Sequence, residues 1–214
     1  MRDIDLNTCE AELKKRWELP YLWGRKQQDE WDKLSRFIYE IKKWEVLIEK
    51  VEEVSIAKNI KRQEFLNYCS NRWYNFMSAM ALEKIFSDQP GVVAAHNEKN
   101  RLIDFYINGI GFDLKTSVFP ANFKPGLITA QSNPEELIKW LYEHQSSQQR
   151  QHLENRLFLI VYANNGEHWK LKAELTWLAE LVKNYVQSFQ PKNLIELELK
   201  QGKTTFSDII WALK

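Results

Sequence analysis

Between Leu102 and Val118 apolar and polar residues alternate on either side of an Asn108-Gly109 pair, in the run RLIDFYINGIGFDLKTSV that begins at Arg101. Alternation predicts two strands. Asn-Gly predicts a two-residue hairpin turn, because both turn residues must take positive φ. Counting outward sets the register: Ile107 faces Ile110, Phe105 faces Phe112, and Asp104 faces Asp113. Side chains alternate across a strand, so Ile103, Phe105, Ile107, Ile110, Phe112 and Leu114 should share one face. Leu102, Asp104, Tyr106, Gly111, Asp113, Lys115 and Ser117 should share the other.

Helical periodicity dominates the chain before this hairpin. Gln28 to Val54 carries Trp31, Leu34, Ile38, Ile41, Leu47 and Ile48 at roughly helical spacing, with no glycine after Gly24 and no proline after Pro20 in residues 1–55. A second helix is predicted from about Asn59 to Phe86, with Phe65, Tyr68, Cys69, Trp73, Phe76, Met77, Met80 and Leu82 on its apolar side. Glu83 follows Met80 and Ala79 by three and four residues, so its carboxylate should point toward the protein body. Asp88-Gln89-Pro90-Gly91 stops that helix, and Val92 to Asn97 reads as a strand turning at Glu98-Lys99-Asn100 into the hairpin.

After the hairpin, Pro120 to Asn133 is expected to be a loop. Asn133-Pro134-Glu135-Glu136 predicts a helix start, with Pro at the first helical position, continuing to about Gln151. The apolar run Arg156 to Ala163 reads as a strand buried on both faces. A helix is expected over Leu171 to Phe189 and a strand over Leu194 to Lys200, while periodicity leaves Thr204 to Leu213 open between helix and strand. The economical architecture is α/β (α+β): a mixed sheet flanked by helices, with an N-terminal helical region over 1–55 and a core over 56–214.

The paired aspartates complicate the polar face. Directly opposite, they would lie roughly 5 Å apart, where like charges destabilise a sheet. At an effective dielectric of about 20 the repulsion is about 3 kcal/mol. Hydration, a neighbouring cation such as Lys115, or a divalent metal between the carboxylates would relieve it. A solvent-facing hairpin with two hydrated aspartates is the competing reading.

Composition narrows the choice of partners. The 214 residues are 44% apolar and 28% charged, as in an ordinary globular protein, and nine tryptophans favour a packed core or stacking surfaces. A net charge of +1 gives no global attraction for a polyanion, so any nucleic-acid contact must come from local patches. Lys14-Lys15-Arg16, Arg25-Lys26 and Lys42-Lys43 read as solvated helix faces, phosphate contacts or contacts to a partner helix, and Lys99, Arg101, Lys170 and Lys172 as solvated side chains or a grip on a phosphate backbone. Cys9 and Cys69 lack metal-type spacing, and His96, His144, His152 and His168 form no metal-binding pair on one helix face. Neither a Gly-rich phosphate loop nor a nucleophile elbow occurs. Without a signal peptide or a membrane-length apolar run, a soluble, cytoplasmic protein is expected.

The order helix, three antiparallel strands, helix, strand, with Asp104 followed by Asp113-Leu114-Lys115 across a tight turn, resembles the PD-(D/E)xK nuclease superfamily over about residues 59–163. Glu83 matches the glutamate that many members carry on the preceding helix. Ile103 stands where the superfamily's name has proline, and the glutamine and tyrosine signature of the RecB-like branch is not evident. Three other tripeptides fit the acidic-x-Lys pattern. Glu12-Leu13-Lys14 and Glu40-Ile41-Lys42 fall in helical segments, and Glu198-Leu199-Lys200 falls on a predicted strand.

The resemblance implies a restriction-endonuclease-like fold and a Mg²⁺- or Mn²⁺-dependent endonuclease acting on DNA, in restriction or another defence role, with RNA left open. It implies Asp104, Asp113, the Leu114 carbonyl and Glu83 as metal ligands, and Lys115 as the group that orients or deprotonates the attacking water or neutralises developing charge. Ser117 would follow on the same face. Residues 1–55 would then supply homodimer contacts or substrate contacts. The alternatives are a non-catalytic nucleic-acid-binding or assembly module on the same fold, and an unrelated α+β interaction protein.

Overall fold

The computed structural model describes residues 5–27, 30–95, 102–144, 154–199 and 202–214. The chain divides into two compact units, Met1–Leu82 with Lys172–Thr176, and Glu83–Leu171 with Trp177–Lys214. The expected division at residue 55 falls within a helix.

The first unit is helical. Helix α1 spans Leu6–Lys15, and the Asp5 carboxylate caps it by accepting from the Thr8 amide at 2.9 Å. The stretch expected to be helical over 28–54 is interrupted: α2 covers Glu30–Leu34, a 3₁₀ turn covers Arg36–Tyr39, and α3 covers Trp44–Lys58. The Trp31 carbonyl keeps its helical bond from the Ser35 amide at 2.9 Å, and side chains add to the carbonyls at the break. Ser35 Oγ donates to the Trp31 carbonyl at 2.5 Å, and Arg72 Nη1 donates to the Asp32 carbonyl at 3.1 Å. The apolar period survives the break, with Trp31, Ile38 and Leu47 all buried. Asn59, expected to start the next helix, instead ends α3 in the left-handed conformation at φ 51°. Helix α4 runs Arg62–Ser87.

The second unit holds a six-stranded mixed sheet flanked by helices. Its strands are β1 Val92–Ala94, β2 Phe105–Ile107, β3 Ile110–Val118, β4 Arg156–Tyr162, β5 Ile195–Leu199 and β6 Lys203–Leu213. Their order is β1-β2-β3-β4-β6-β5. The first three pair antiparallel, β3, β4 and β6 pair parallel, and β5 returns antiparallel on β6. Thr204 to Leu213 is thus a strand, and an interior one. The hairpin register is the one counted from Asn108-Gly109, with φ of 49° and 81° at the turn. The segment 120–133 is not all loop, since α5 spans Gly126–Ser132, and α6 spans Pro134–His144. Helix α7 covers Leu175–Ser188, after a 3₁₀ turn over His168–Ala173 rather than from Leu171. The turn at 98–100, the tail 145–151 and Lys200 lie outside the described residues.

β4 is buried along nearly its whole length, as its unbroken apolar run requires in a parallel sheet centre. On one face Phe158, Ile160, Ile209 and Leu197 pack with Leu137, Ile138 and Leu141 of α6. On the other, Phe112 meets Phe189 edge-on at 6.0 Å, and Phe105 stacks on Phe86 of α4 at 4.5 Å. No helix among the described residues is long and apolar enough to cross a membrane.

Candidate active site

The antiparallel ladder of β2 and β3 stops one step short of the two aspartates. Phe105 pairs with Phe112, but the Asp104 amide also turns to the Phe112 carbonyl, at 2.8 Å. The chain leaves the ladder there, and one expected neighbour changes sides. A Cβ added at Gly111 would lie 2.8 Å from Ile103 Cδ1 and 3.0 Å from Tyr106 Cε1. Ile103 therefore lies over the Gly111 side of the hairpin, not with Phe105 and Phe112. Only glycine leaves room for it.

The departure gives Asp104 its place. Asp113 donates its amide to the Asn155 carbonyl at 2.9 Å, on the β4 side. Successive amides in a strand point to opposite sides, so Leu114 points toward β2. No β2 carbonyl is there to meet it. Asp104 Oδ2 fills the position and accepts from the Leu114 amide at 2.7 Å. The N–H and C=O of one strand residue point the same way, so the Leu114 carbonyl opens on that same edge.

Asp113 is buried, at 7% exposure, and both of its oxygens are engaged. Lys115 Nζ donates to Oδ1 at 2.5 Å, and Arg156 Nε donates to Oδ2 at 3.2 Å. Arg156, at 4% exposure, opens β4 and is the partner that sequence reasoning missed. Parallel pairing lines up Asp113, Arg156 and Ser207 across three strands. Tyr142 of α6 covers this row: its ring lies 4.7 Å from the Arg156 guanidinium carbon, and its hydroxyl meets Ser207 Oγ at 2.8 Å and the Glu154 carbonyl at 2.9 Å. Asn155 ties the same end together, donating to the Gly111 carbonyl at 3.2 Å and accepting from the Phe206 amide at 2.9 Å.

Glu83, on the last turns of α4, is within electrostatic reach of all three hairpin groups. Burial pushes its carboxyl up to about 7, helped by the Asp104 and Asp113 carboxylates and opposed by Lys115. The side chain is also open to solvent, so water softens the burial contribution, while the repulsion gives the shift the same direction. Asp104 is raised as well, by burial and then by the Asp113 carboxylate; the Leu114 amide and Lys115 oppose the shift. Asp104, Asp113 and Lys115 thus share one end of the hairpin, with the Leu114 carbonyl facing that edge and Glu83 within electrostatic reach. Ser117 continues on the Lys115 side of β3, its hydroxyl on the Val118 carbonyl at 3.0 Å.

The other candidates do not join this cluster. Glu198 is exposed on the edge strand β5, opposite Thr204. His144 stacks on Trp140, His168 stacks on Tyr162, and Lys170 pairs with Glu167. Lys172 belongs to the other unit, where it donates to Asn75 Oδ1 at 3.2 Å. His96, Lys99, Arg101 and His152 lie outside the described residues.

With every group ionised, three carboxylates face two cations and one negative charge remains in excess. The oxygens match what a hard divalent cation takes: two carboxylates with oxygens not held by a cation, a third carboxylate, and a carbonyl on the same edge. As placed, no three carboxylate, imidazole or thiolate groups among the described residues converge to hold a metal, and Lys115 and Arg156 hold both Asp113 oxygens. No family model matches this chain, and neither a curated protein nor a solved structure gives a significant match.

Proposed function

We propose that the protein is a divalent-metal-dependent endonuclease of DNA, with the PD-(D/E)xK arrangement on a restriction-endonuclease-like fold. The observation that carries this reading is the edge where β2 leaves the ladder. There Asp104 accepts from the Leu114 amide, Lys115 pairs with Asp113, and Glu83 lies within electrostatic reach of all three charged groups. The order α4, three antiparallel strands, α6 and a parallel β4 supports the same reading.

Asp104, Asp113 and the Leu114 carbonyl would hold Mg²⁺ or Mn²⁺, with Glu83 completing the set. The bound ion lowers the pKa of a coordinated water and polarises a phosphodiester. Arg156 would hold Asp113 Oδ2 in place by a buried charge-assisted hydrogen bond. Lys115 Nζ, next to Asp113 Oδ1, would donate to the attacking water or to a non-bridging phosphate oxygen as charge develops. Tyr142, Ser207 and Asn155 fix Arg156 and the backbone of Asp113, so the carboxylate is placed before substrate arrives.

The test is cleavage of supercoiled plasmid and of a labelled duplex with Mg²⁺, Mn²⁺ or EDTA. Metal-dependent nicking that Asp104→Asn and Asp113→Asn both abolish, with unchanged circular dichroism, supports the reading. Metal-independent retention of DNA without cleavage would point to a binding module instead. No effect on nucleic acid at all rejects both.

A further inference from the structure

Within the helical unit, α4 carries a polar stripe. Asn71, Tyr74 and Asn75 fall on one side of the helix, at the spacing of successive turns. Asn71 Oδ1 accepts from Arg16 Nη2 at 2.6 Å, and the Tyr74 hydroxyl accepts from Trp17 Nε1 at 3.4 Å. Asn75 meets a lysine: Lys172 Nζ donates to its Oδ1 at 3.2 Å, while its Nδ2 donates to the Tyr21 hydroxyl at 3.4 Å. Lys172 is half-buried and makes no ion pair among the described residues. Glu174, two positions on, is given to Lys14 at 3.4 Å. An enclosed ammonium without a carboxylate is costly, and shedding a proton removes the cost. Burial pulls Lys172 down to about 8. Its neutral amine, the nucleophilic form, is therefore well populated near that pH.

We propose that Lys172 is a carbamylation site, where Nζ adds to carbon dioxide and Asn75 and Tyr21 hold the anion that forms. The Nζ lone pair makes the N–C bond, one C=O π pair moves onto oxygen, and an Nζ proton passes to water. Nothing is oxidised or reduced. A half-buried amine admits only a small electrophile, and carbon dioxide is small and uncharged. The product fits its neighbours better than the ammonium does. Asn75 Nδ2 and the Tyr21 hydroxyl are donors that an ammonium cannot use and a carbamate can. The Arg16 guanidinium carbon lies 5.9 Å from the Tyr21 ring, so positive charge stands close to those donors. Carbamylation replaces an uncompensated cation with an anion that has partners.

The experiment equilibrates the full chain with isotopically labelled bicarbonate and carbon dioxide at pH 8. Carbamates are trapped as ethyl esters with triethyloxonium, and the digested peptides are read by mass spectrometry. In wild type, Lys172 should carry the label at least tenfold more often than Lys58, which is exposed on α3. Asn75→Asp is nearly isosteric and puts a carboxylate beside Nζ, which holds the ammonium. It should lower trapping at Lys172 at least tenfold, with circular dichroism unchanged. Equal labelling of Lys172 and Lys58 in wild type overturns the proposal, whatever the variant does. Undiminished labelling of Lys172 in Asn75→Asp overturns it as well.

Discussion

One sheet carries the start of the acidic-x-Lys pattern on two strands, Asp113-Leu114-Lys115 on β3 and Glu198-Leu199 on β5, with Lys200 next in the sequence. Read as letters they are nearly equivalent. In the fold, Glu198 stands exposed on an edge strand opposite Thr204, as a charge that keeps an open edge from pairing with another chain. Asp113 stands on an interior strand, 7% exposed, with a buried arginine behind it and a second aspartate beside it. A solvated acid needs nothing from its neighbours. A buried one must be compensated, and on β3 Lys115 holds one oxygen and Arg156 the other.

The sharpest way to break that contrast is to neutralise each acid. Asp113→Asn should lower metal-dependent cleavage by about a thousandfold or more, whereas Glu198→Gln should leave it within about twofold, both read from initial rates on plasmid. If Glu198→Gln is the damaging change, the contrast is inverted. Next in size is the buried pair itself. Arg156→Met leaves the Asp113 carboxylate without its enclosed partner, and should cost about 3 kcal/mol in urea unfolding. Arg156→Lys should recover part of that loss.

Glu83 gives a pH signature. Its folded pKa of about 7 lies above the ordinary glutamate value of 4.5, so the fold holds a proton that the unfolded chain has already released. Its contribution is present below about 4.5 and is lost as pH rises through about 7. Urea midpoints should therefore fall over that window in wild type, and less steeply in Glu83→Gln. Added Mg²⁺ should restore the wild-type midpoint at pH 8. The smallest effect belongs to the close approach at the hairpin. Gly111→Ala should cost about 1 kcal/mol through contact with Ile103, and Ile103→Ala in the same chain should recover most of it, measured by thermal melts.

The register of 105–107 on 110–112 was legible because Asn-Gly leaves the hairpin one count, while the Asp104–Asp113 pair counted with it lies beyond the ladder. Helical spacing put Glu83 near the end of α4 and turned toward the body; the residue is exposed, though within electrostatic reach of the hairpin aspartates. Arg156 was hidden because an arginine at the head of an apolar strand looks like a boundary residue, and its partner lies 43 positions earlier. The side taken by Ile103 was hidden because alternation assumes an unbroken ladder, and Asp104 leaves it to reach the Leu114 amide. The break between α2 and α3 was hidden for a similar reason: no proline or glycine marks it, and Arg72 on a later helix makes it. Thr204 to Leu213 could not be decided by period, because an interior strand loses strict alternation.

The position of β6 has a consequence for synthesis. It lies between β4 and β5, so the two earlier strands meet only through the segment made after them. While a ribosome is still adding residues 203–213, β4 offers an apolar edge with no partner, of the kind that draws other chains into aggregates. The row from Asp113 through Arg156 to Ser207 is equally unfinished in that interval. A nascent chain would have to be shielded until residues 203–213 are made, and the row that holds Asp113 would be complete only once β6 pairs with β4.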